Sequence, residues 1–282
     1  MNESSHFLII GLGLLGGSYA SGLSQAGYKV SAIDPDQGNL NVGLERGWII
    51  EGSTEVDPAL IQKADVLIFG VYPRLILTWI EKYQHFLKPK TLLTDMSGVK
   101  AAIVDQVQQL LRKDCEFVAA HPMAGKEVSG AYFSDPCIFE GANFIITPTA
   151  FNTVEGIATI RTIATILNFA SISEISVQEH DRMIAFVSQL THVIAVTLMN
   201  THENAHLVKY TGDSFRDLTR IAKINENLWS ELFLLNKEVL LEEIDHFQES
   251  LTHFKHVLEQ EDLSEMKRLF VQSTQRRKLF DK

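Results

Sequence analysis

The stretch FLIIGLGLLGGS, residues 7–18, decides the fold. Its apolar first part has the composition of a buried strand, and the glycines that follow match the pattern G-x-G-x-x-G. Small and apolar residues continue to Ala26 and predict a helix. A glycine-rich turn between a strand and a helix is typical of dinucleotide-binding domains, where the helix N-terminus faces phosphates. We therefore predict cofactor contacts from Gly11, Leu12, Gly13, Leu14, Leu15 and Gly16.

An acidic residue, Asp34, follows the next predicted strand, Lys29–Ile33. A carboxylate at this position accepts hydrogen bonds from the adenosine ribose and repels a 2′-phosphate. No arginine follows directly, because residues 35–37 are Pro, Asp and Gln. The pattern favours NAD over NADP. A solvated aspartate after an unrelated glycine turn is the alternative, which the order of strand, glycines, helix and acid disfavours.

Short apolar runs and longer amphipathic stretches alternate in the first half of the chain, which predicts a parallel sheet covered by helices on both faces. The predicted strands are His6–Ile10, Lys29–Ile33, Val66–Phe69, Thr91–Thr94, Phe117–Ala119, Phe144–Thr147 and Ile172–Val177. The predicted helices are Leu14–Ala26, Leu75–Phe86, Ala101–Arg112 and Thr153–Asn168. Beyond Val177 helical periodicity dominates, as in the apolar spacing from Leu240 to Leu258. We predict an α/β Rossmann-type doubly wound domain over residues 1–175 and an all-α domain over residues 176–282.

The composition excludes several classes of protein. A net charge of −10 over 282 residues argues against a broad nucleic-acid surface. Two cysteines, Cys115 and Cys137, are too few for a disulfide framework or a cysteine zinc site, and they fit a cytoplasmic setting. The N-terminus lacks the basic region of a signal peptide. We also expect no membrane span, because no apolar stretch reaches the length that one needs.

Two polar segments follow predicted strands and are candidates for chemistry. His121 comes after Phe117–Ala119, and Ser97 comes after Thr91–Thr94. Both would lie at the carboxyl edge of the sheet, where doubly wound folds bind ligands. A histidine there can act as acid or base near neutral pH, and Ser97 could orient it by a hydrogen bond. The alternative is that His121 is a structural histidine.

Arg216 and Arg220 have the i, i+4 spacing of one helix face. Two guanidinium groups on one face suit a ligand that bears carboxylates. A surface salt bridge with Asp217 or Glu226 explains the same spacing equally well.

The longer motifs resemble the prephenate dehydrogenase family, which also includes arogenate dehydrogenases. The resemblance covers nearly the whole chain. It rests on IIGLGLLGGS (9–18), TDMSGVK (94–100), HPMAGKEVSG (121–130), EHDRMIAFVSQLTHVIA (179–195) and SFRDLTRIA (214–222), with Trp229 further on. It implies NAD-dependent oxidative decarboxylation of prephenate to 4-hydroxyphenylpyruvate, CO2 and NADH in tyrosine biosynthesis, by a homodimer joined through its helical domain.

The resemblance also implies roles for individual residues. His121 is then the catalytic histidine, with Ser97 as its hydrogen-bonding neighbour, and Arg220 is the arginine that binds a substrate carboxylate. Further substrate-pocket positions are His192, Arg216, Glu127 and Gln189. One departure stands at Gln189, where relatives commonly have histidine; glutamine can donate a hydrogen bond but cannot titrate. Arogenate in place of prephenate stays open, because no residue is seen to distinguish the two acids.

Three other interpretations remain at this point. His202-Glu203-Asn204-Ala205-His206 matches the zinc-protease pattern H-E-x-x-H, although we predict no metal site. A β-hydroxyacid dehydrogenase would also combine a Rossmann half with a helical half, but the stretch from Ser188 to Asn204 lacks the lysine of that class. A non-catalytic NAD-binding protein would need the glycines and Asp34 but none of the other site residues.

Overall fold

A six-stranded parallel sheet forms the centre of the first half, in a computed structural model that describes residues 4–203 and 205–280. The strand order is β3-β2-β1-β4-β5-β6. The strands are β1 (His6–Ile10), β2 (Lys29–Ile33), β3 (Glu51–Ser53), β4 (Val66–Phe69), β5 (Leu92–Asp95) and β6 (Glu116–Phe117). This order is that of the doubly wound dinucleotide-binding fold, with its switch point between β1 and β4. The predicted fold class is confirmed. The sequence did not predict β3, because its residues Glu, Gly and Ser carry no apolar signal.

A second, three-stranded sheet corrects the prediction of a single sheet. It contains β7 (Ala119–Pro122), β8 (Asn143–Thr147) and β9 (Ser171–Glu174), and β7 runs antiparallel to β8. The predicted strand Phe117–Ala119 is therefore two strands. Val118 still donates its N–H to Leu93 of β5 at 2.9 Å, but the N–H of Ala120 donates to the side chain of Asp95 at 3.1 Å. The chain leaves the main sheet where a carboxylate replaces the ladder carbonyl.

Helices cover both faces of the main sheet, and each face buries its own apolar cluster. They are α1 (Leu14–Gln25), α2 (Gln37–Glu45), α3 (Pro58–Lys63), α4 (Pro73–Tyr83), α5 (Val104–Leu110) and α6 (Val154–Ile166). Several begin at side-chain caps: Asp36, Asp57 and Thr153 each accept a backbone N–H from the first turn that follows. The caps explain why the helices begin where they do.

The chain becomes helical after β9. Ser176 caps α7 (Val177–Ile184), so the predicted strand Ile172–Val177 ends early. A π-helical turn, Ala185–Leu190, connects α7 to α8 (Thr191–Asn200) without a break. The helices α9 (Asp213–Thr219) and α10 (Glu226–Leu235) follow. Residues up to Asn236 form one compact unit.

A second compact unit begins at Lys237 and consists of α11 (Lys237–Glu259) and α12 (Leu263–Arg277). The two helices contact each other through Phe254 and Phe270, whose ring centres are 6.3 Å apart. The predicted boundary near residue 175 marks the change from α/β to all-α structure inside the first unit, and as a domain boundary it stays a prediction.

One helical run corrects an expectation about membranes. Val177–Asn200 is 24 residues long and, by length and composition alone, apolar enough to cross a bilayer. Its side chains His180, Asp181 and Gln189 are nevertheless buried in polar contacts within the first unit. The middle of the run, including Ser188 and His192, lines the cleft described next.

Candidate active site

A cleft of about 860 Å³ opens at the carboxyl edge of the main sheet, beside the switch point between β1 and β4. One wall is the glycine turn at residues 13–15, and the floor includes Ser97, Gly98 and His121. The opposite wall comes from the helical part, including His192, Arg220 and Trp229. Its size lies in the range of pockets that bury small ligands. The cleft thus joins the two halves that the motifs pointed to.

The glycine turn is shaped by contacts that exclude any side chain. Gly11 has a φ of +94°, and a Cβ there would lie 2.6 Å from the carbonyl oxygen of Gly70. A Cβ on Gly16 would lie 2.0 Å from the carbonyl oxygen of Gly11. Gly13, by contrast, has no atom within 4 Å of its Cβ position, so its backbone is open to a ligand. The turn therefore fits the phosphate-binding role that its sequence predicts.

Asp34 is buried behind this turn and holds it in place. Its Oδ2 accepts the N–H of Leu12 at 2.6 Å, and its Oδ1 accepts the N–H of Asp36 at 2.8 Å. Gly13, Leu14 and Leu15 line the cleft, whereas Gly11, Leu12 and Gly16 support the turn from behind. Asp34 thus orders the turn in addition to the ribose contact that we predict for it.

His121 begins a chain of three polar side chains. Its Nδ1 lies 2.9 Å from Nε2 of His180, and Nδ1 of His180 lies 2.7 Å from Oδ1 of Asp181. The N–H groups of Lys100 and Ala101 donate to the two oxygens of Asp181, each at 2.8 Å. Burial lowers the pKa of His121 well below its ordinary value, and the neighbouring His180 and Lys100 lower it further. His121 is therefore a neutral imidazole at neutral pH.

The hydroxyl of Ser97 does not bond His121, which corrects the predicted contact. It lies against the carboxylate of Asp95 and the carbonyl of Val99, and it accepts from Nζ of Lys100 at 3.3 Å. Lys100 is fully buried and donates to Asp95 and to the carbonyl of Ala120, both at 2.5 Å. Burial lowers the pKa of Lys100, and Asp95 opposes that shift. Ser97 still lines the cleft beside His121.

His192 lies on the helical wall and stacks on Trp229, with ring centres 3.6 Å apart. Its Nδ1 lies 2.8 Å from the carbonyl oxygen of Ser188, so Nδ1 donates and Nε2 is an acceptor in the neutral ring. Burial lowers the pKa of His192, although the Ser188 carbonyl opposes this. The stacked pair is a flat surface against which a ring can pack.

Arg220 reaches the cleft from the turn after α9 and forms an ion pair with Glu127 from the segment after β7. The Arg220 side chain is 63% exposed. Exposed ion pairs contribute only about 0–1 kcal/mol, so a carboxylate ligand can compete for this guanidinium. Both residues line the cleft, as the resemblance implied.

Arg216 is placed differently from the prediction. It bonds Asp213 and the carbonyl of Thr211, both at 3.1 Å, and it does not line the cleft. The spacing misled because α9 ends at Thr219 and Arg220 begins a 3-10 turn, so the two arginines are not on one continuous α-helix.

Gln189 contributes structure rather than a free amide. Its Nε2 donates to the carbonyl of Leu232 at 3.0 Å, and its Oε1 accepts from Asn236 at 2.8 Å. Each end of the amide makes one hydrogen bond inside the protein, and the residue also lines the cleft, so its contact with substrate stays a prediction. The residue ties the π-helical turn to α10.

The H-E-x-x-H segment does not form the helix that a zinc site needs. α8 ends at Asn200, His202 and Glu203 lie beyond it, and a 3-10 turn begins at Ala205. Asn204 lies outside the described residues. Among the residues that are described, no group of three His, Cys, Asp or Glu is arranged to hold a metal.

Comparisons with known proteins agree with this architecture. Residues 20–173 match the family model for the prephenate dehydrogenase nucleotide-binding domain, and residues 176–272 match that for the prephenate dehydrogenase dimerization domain. The chain belongs to the prephenate dehydrogenase family.

Individual relatives extend the match over most of the chain. It is 32% identical over 252 residues to the prephenate dehydrogenase of Lactococcus lactis, covering 86% of this chain and 68% of that protein. It is 28% identical over 271 residues to that of Bacillus subtilis, covering 93% and 72%. A crystal structure of Aquifex aeolicus prephenate dehydrogenase, in complex with hydroxyphenyl propionate and NAD+, superposes with a TM-score of 0.89 at 29% identity, covering 98% of each chain. The enzyme class, an NAD-dependent dehydrogenase, is thereby confirmed.

Four polar residues of the site were not predicted from the sequence: Asp95, Lys100, His180 and Asp181. All four lie inside motifs that carried the resemblance. Their signal was a charged residue next to a buried strand end or helix start, where an unpaired charge is costly. Which partners they would find depended on the crossing of β5, β7 and α7, which the sequence does not show.

Proposed function

We propose that this protein is a prephenate dehydrogenase that uses NAD to convert prephenate to 4-hydroxyphenylpyruvate and CO2 in tyrosine biosynthesis. The observation that carries the proposal is the meeting, in one cleft, of neutral His121, of Arg220 and of the glycine turn. Membership in the family supports the reaction type.

The residues at the glycine turn fit a dinucleotide. Gly13 leaves room beside the N-terminus of α1, and the crowded positions of Gly11 and Gly16 match the tight turn of such sites. Asp34 directly follows β2, where it would accept hydrogen bonds from the ribose hydroxyls. When bound, NAD would act as the oxidant and accept a hydride from the substrate.

His121 is placed to take the proton of the substrate hydroxyl. A neutral imidazole can accept that hydrogen bond, and general-base help of this kind contributes about 10²–10⁴ in rate. As hydride leaves the carbinol carbon, the O–H proton passes to Nε2 of His121. The bond to the ring carboxylate then breaks and releases CO2. Its electron pair completes the aromatic ring, and the proton returns to the phenolic oxygen. Atoms and charges therefore balance with hydride and CO2 as the groups lost.

Arg220 is placed to bind a carboxylate of the substrate. Its present partner is Glu127, and exchanging one carboxylate for another keeps the guanidinium paired. His192 and Trp229 offer the adjacent flat surface for the ring or the side chain of the acid. Positioning of this kind lowers the entropic part of the barrier.

A spectrophotometric assay that crosses prephenate and arogenate with NAD and NADP tests the proposal. We expect NADH to form from prephenate with NAD, with 4-hydroxyphenylpyruvate in equal amount, and much weaker turnover with NADP. Turnover of arogenate but not of prephenate would show that the substrate is arogenate, the amino analogue. No turnover of either acid would contradict the proposal.

We also propose a homodimer and a cytoplasmic location. The run Val177–Asn200 exposes Met183, Phe186, Leu198 and Met199 to solvent, and the dimerization-domain match covers it, which supports burial of this face by a second copy. Light scattering after gel filtration should give twice the chain mass of 31.7 kDa; a monomer would contradict it. Both cysteines are free, as expected of a reducing compartment.

A further inference from the structure

His180 stands behind His121, fully buried, and has no part in the chemistry described above. It lies on the buried face of α7, in the middle of the hydrogen-bonded chain from His121 to Asp181. Each contact in this chain has one donor and one acceptor. The direction of the hydrogen bonds can therefore be assigned from its fixed end.

That fixed end is the carboxylate of Asp181, which is 2% exposed. Its oxygens accept the N–H groups of Lys100 and Ala101 at 2.8 Å, and an ionised carboxylate can only accept. Nδ1 of His180, 2.7 Å from Oδ1, must therefore carry a hydrogen. In a neutral ring Nε2 is then a bare acceptor. Burial lowers the pKa of His180 despite the opposing effect of its hydrogen bond to Asp181. The ring is therefore neutral at neutral pH.

The pairing of one donor with one acceptor then fixes which nitrogen of His121 carries the hydrogen. Nε2 of His180 lies 2.9 Å from Nδ1 of His121, so Nδ1 of His121 must donate. Nε2 of His121 is left without a hydrogen. This atom lies on the cleft side, 3.8 Å from the position that a Cβ on Gly98 would take. We propose that His180, held by Asp181, is a positioning residue that fixes the proton of His121 on Nδ1 and leaves Nε2 as the base.

Without His180 the proton of His121 is free to occupy either nitrogen, and the ring is free to turn. Removing one buried hydrogen-bond partner costs about one to two powers of ten in an equilibrium or a rate. Replacement of His180 by an apolar residue should therefore lower kcat about 10- to 100-fold. The KM for substrate should change little, since Arg220 and Trp229 are not touched by the substitution.

Two variants of similar size separate positioning from mere packing. In His180→Gln the amide oxygen can still accept from Nδ1 of His121, whereas in His180→Met no acceptor remains. We expect kcat of His180→Gln within about tenfold of wild type, and that of His180→Met lower by a further factor of about ten. Equal losses in both variants, or a loss confined to KM, would overturn the proposal.

A direct measurement of the proton does not depend on either variant. Nitrogen NMR of protein labelled with 15N-histidine shows which ring nitrogen carries hydrogen, and the His121 signals are those absent from His121→Asn. We expect hydrogen on Nδ1 of His121 in the wild type, without any substrate present. Hydrogen on Nε2 would overturn the proposal even if both variants fold poorly.

The turnover part of this proposal rests on the proposed function, but the NMR part does not. If prephenate is not turned over while the hydrogen lies on Nδ1, the proposed function fails and the assigned tautomer stands. If prephenate is turned over while the hydrogen lies on Nε2, only the positioning role fails.

Discussion

Replacing Lys100 by methionine should destabilise the protein far more than the same replacement of an exposed lysine. The Nζ atom of Lys100 is fully buried and donates to Asp95 and the Ala120 carbonyl at 2.5 Å and to Ser97 at 3.3 Å. These three acceptors match the three hydrogens of an ammonium group. Methionine has a similar length and donates none of these bonds.

The cost follows from what the substitution leaves behind. Asp95 would keep its N–H partners Ser97 and Ala120, both at 3.1 Å, but its charge would be buried without a counter-ion. Breaking a buried ion pair in this way costs about 3–5 kcal/mol. At about 2–4 °C per kcal/mol for a protein of this size, Tm should fall by about 6–20 °C.

Thermal unfolding followed by circular dichroism measures this loss, and two further variants control it. Lys63→Met removes the exposed ion pair with Glu51, which should cost only about 0–1 kcal/mol. Asp95→Asn combined with Lys100→Met removes both buried charges and should unfold at a higher temperature than Lys100→Met alone. A Tm for Lys100→Met equal to that of Lys63→Met would show that the buried pair does not hold the site together.

Three further predictions concern activity. His121→Asn should lower kcat by about 10² or more while NAD affinity by calorimetry is unchanged, because only the base is lost; full activity would exclude His121 as the base. Arg220→Ala should raise the KM for prephenate about tenfold or more, since a bound carboxylate loses its partner, whereas the matched change Arg216→Ala outside the cleft should leave KM unaltered. Because the pKa of His121 is lowered, its imidazole stays neutral down to a pH below 6.5. The value of kcat/KM should therefore rise with pH through a midpoint below 6.5 and be constant around neutral pH. A midpoint above pH 6.5 would contradict this.

Local signals were sufficient for much of the fold. The run FLII and the glycines after it placed β1, the turn and α1, because a buried strand and a sterically crowded turn leave few alternatives at those positions. The apolar residues before His121 likewise predicted a strand leading to it, although His121 itself lies on β7 of the second sheet. Ser97 follows β5 of the parallel sheet, and its place in the cleft agrees with the rule that parallel strands present their carboxyl ends together.

Partners that depend on distant segments could not be predicted. The Asp95 carboxylate captures the N–H of Ala120, diverts the chain into a second sheet and leaves Ser97 on Asp95 instead of His121. Arg216 was misplaced because α9 ends at Thr219, one residue before Arg220, so the two arginines do not share one α-helix. In both cases a tertiary contact or a helix end decided the result, and neither has a strong local signature.

A crystal structure with NAD and hydroxyphenyl propionate bound would show most directly whether His121 faces the reacting group. We expect Nε2 of His121 within about 2.6–3.2 Å of the phenolic oxygen, with Nδ1 still on His180 and Arg220 on the carboxylate. A ring oxygen that lies far from Nε2, with the acid bound away from Arg220, would contradict the proposed chemistry.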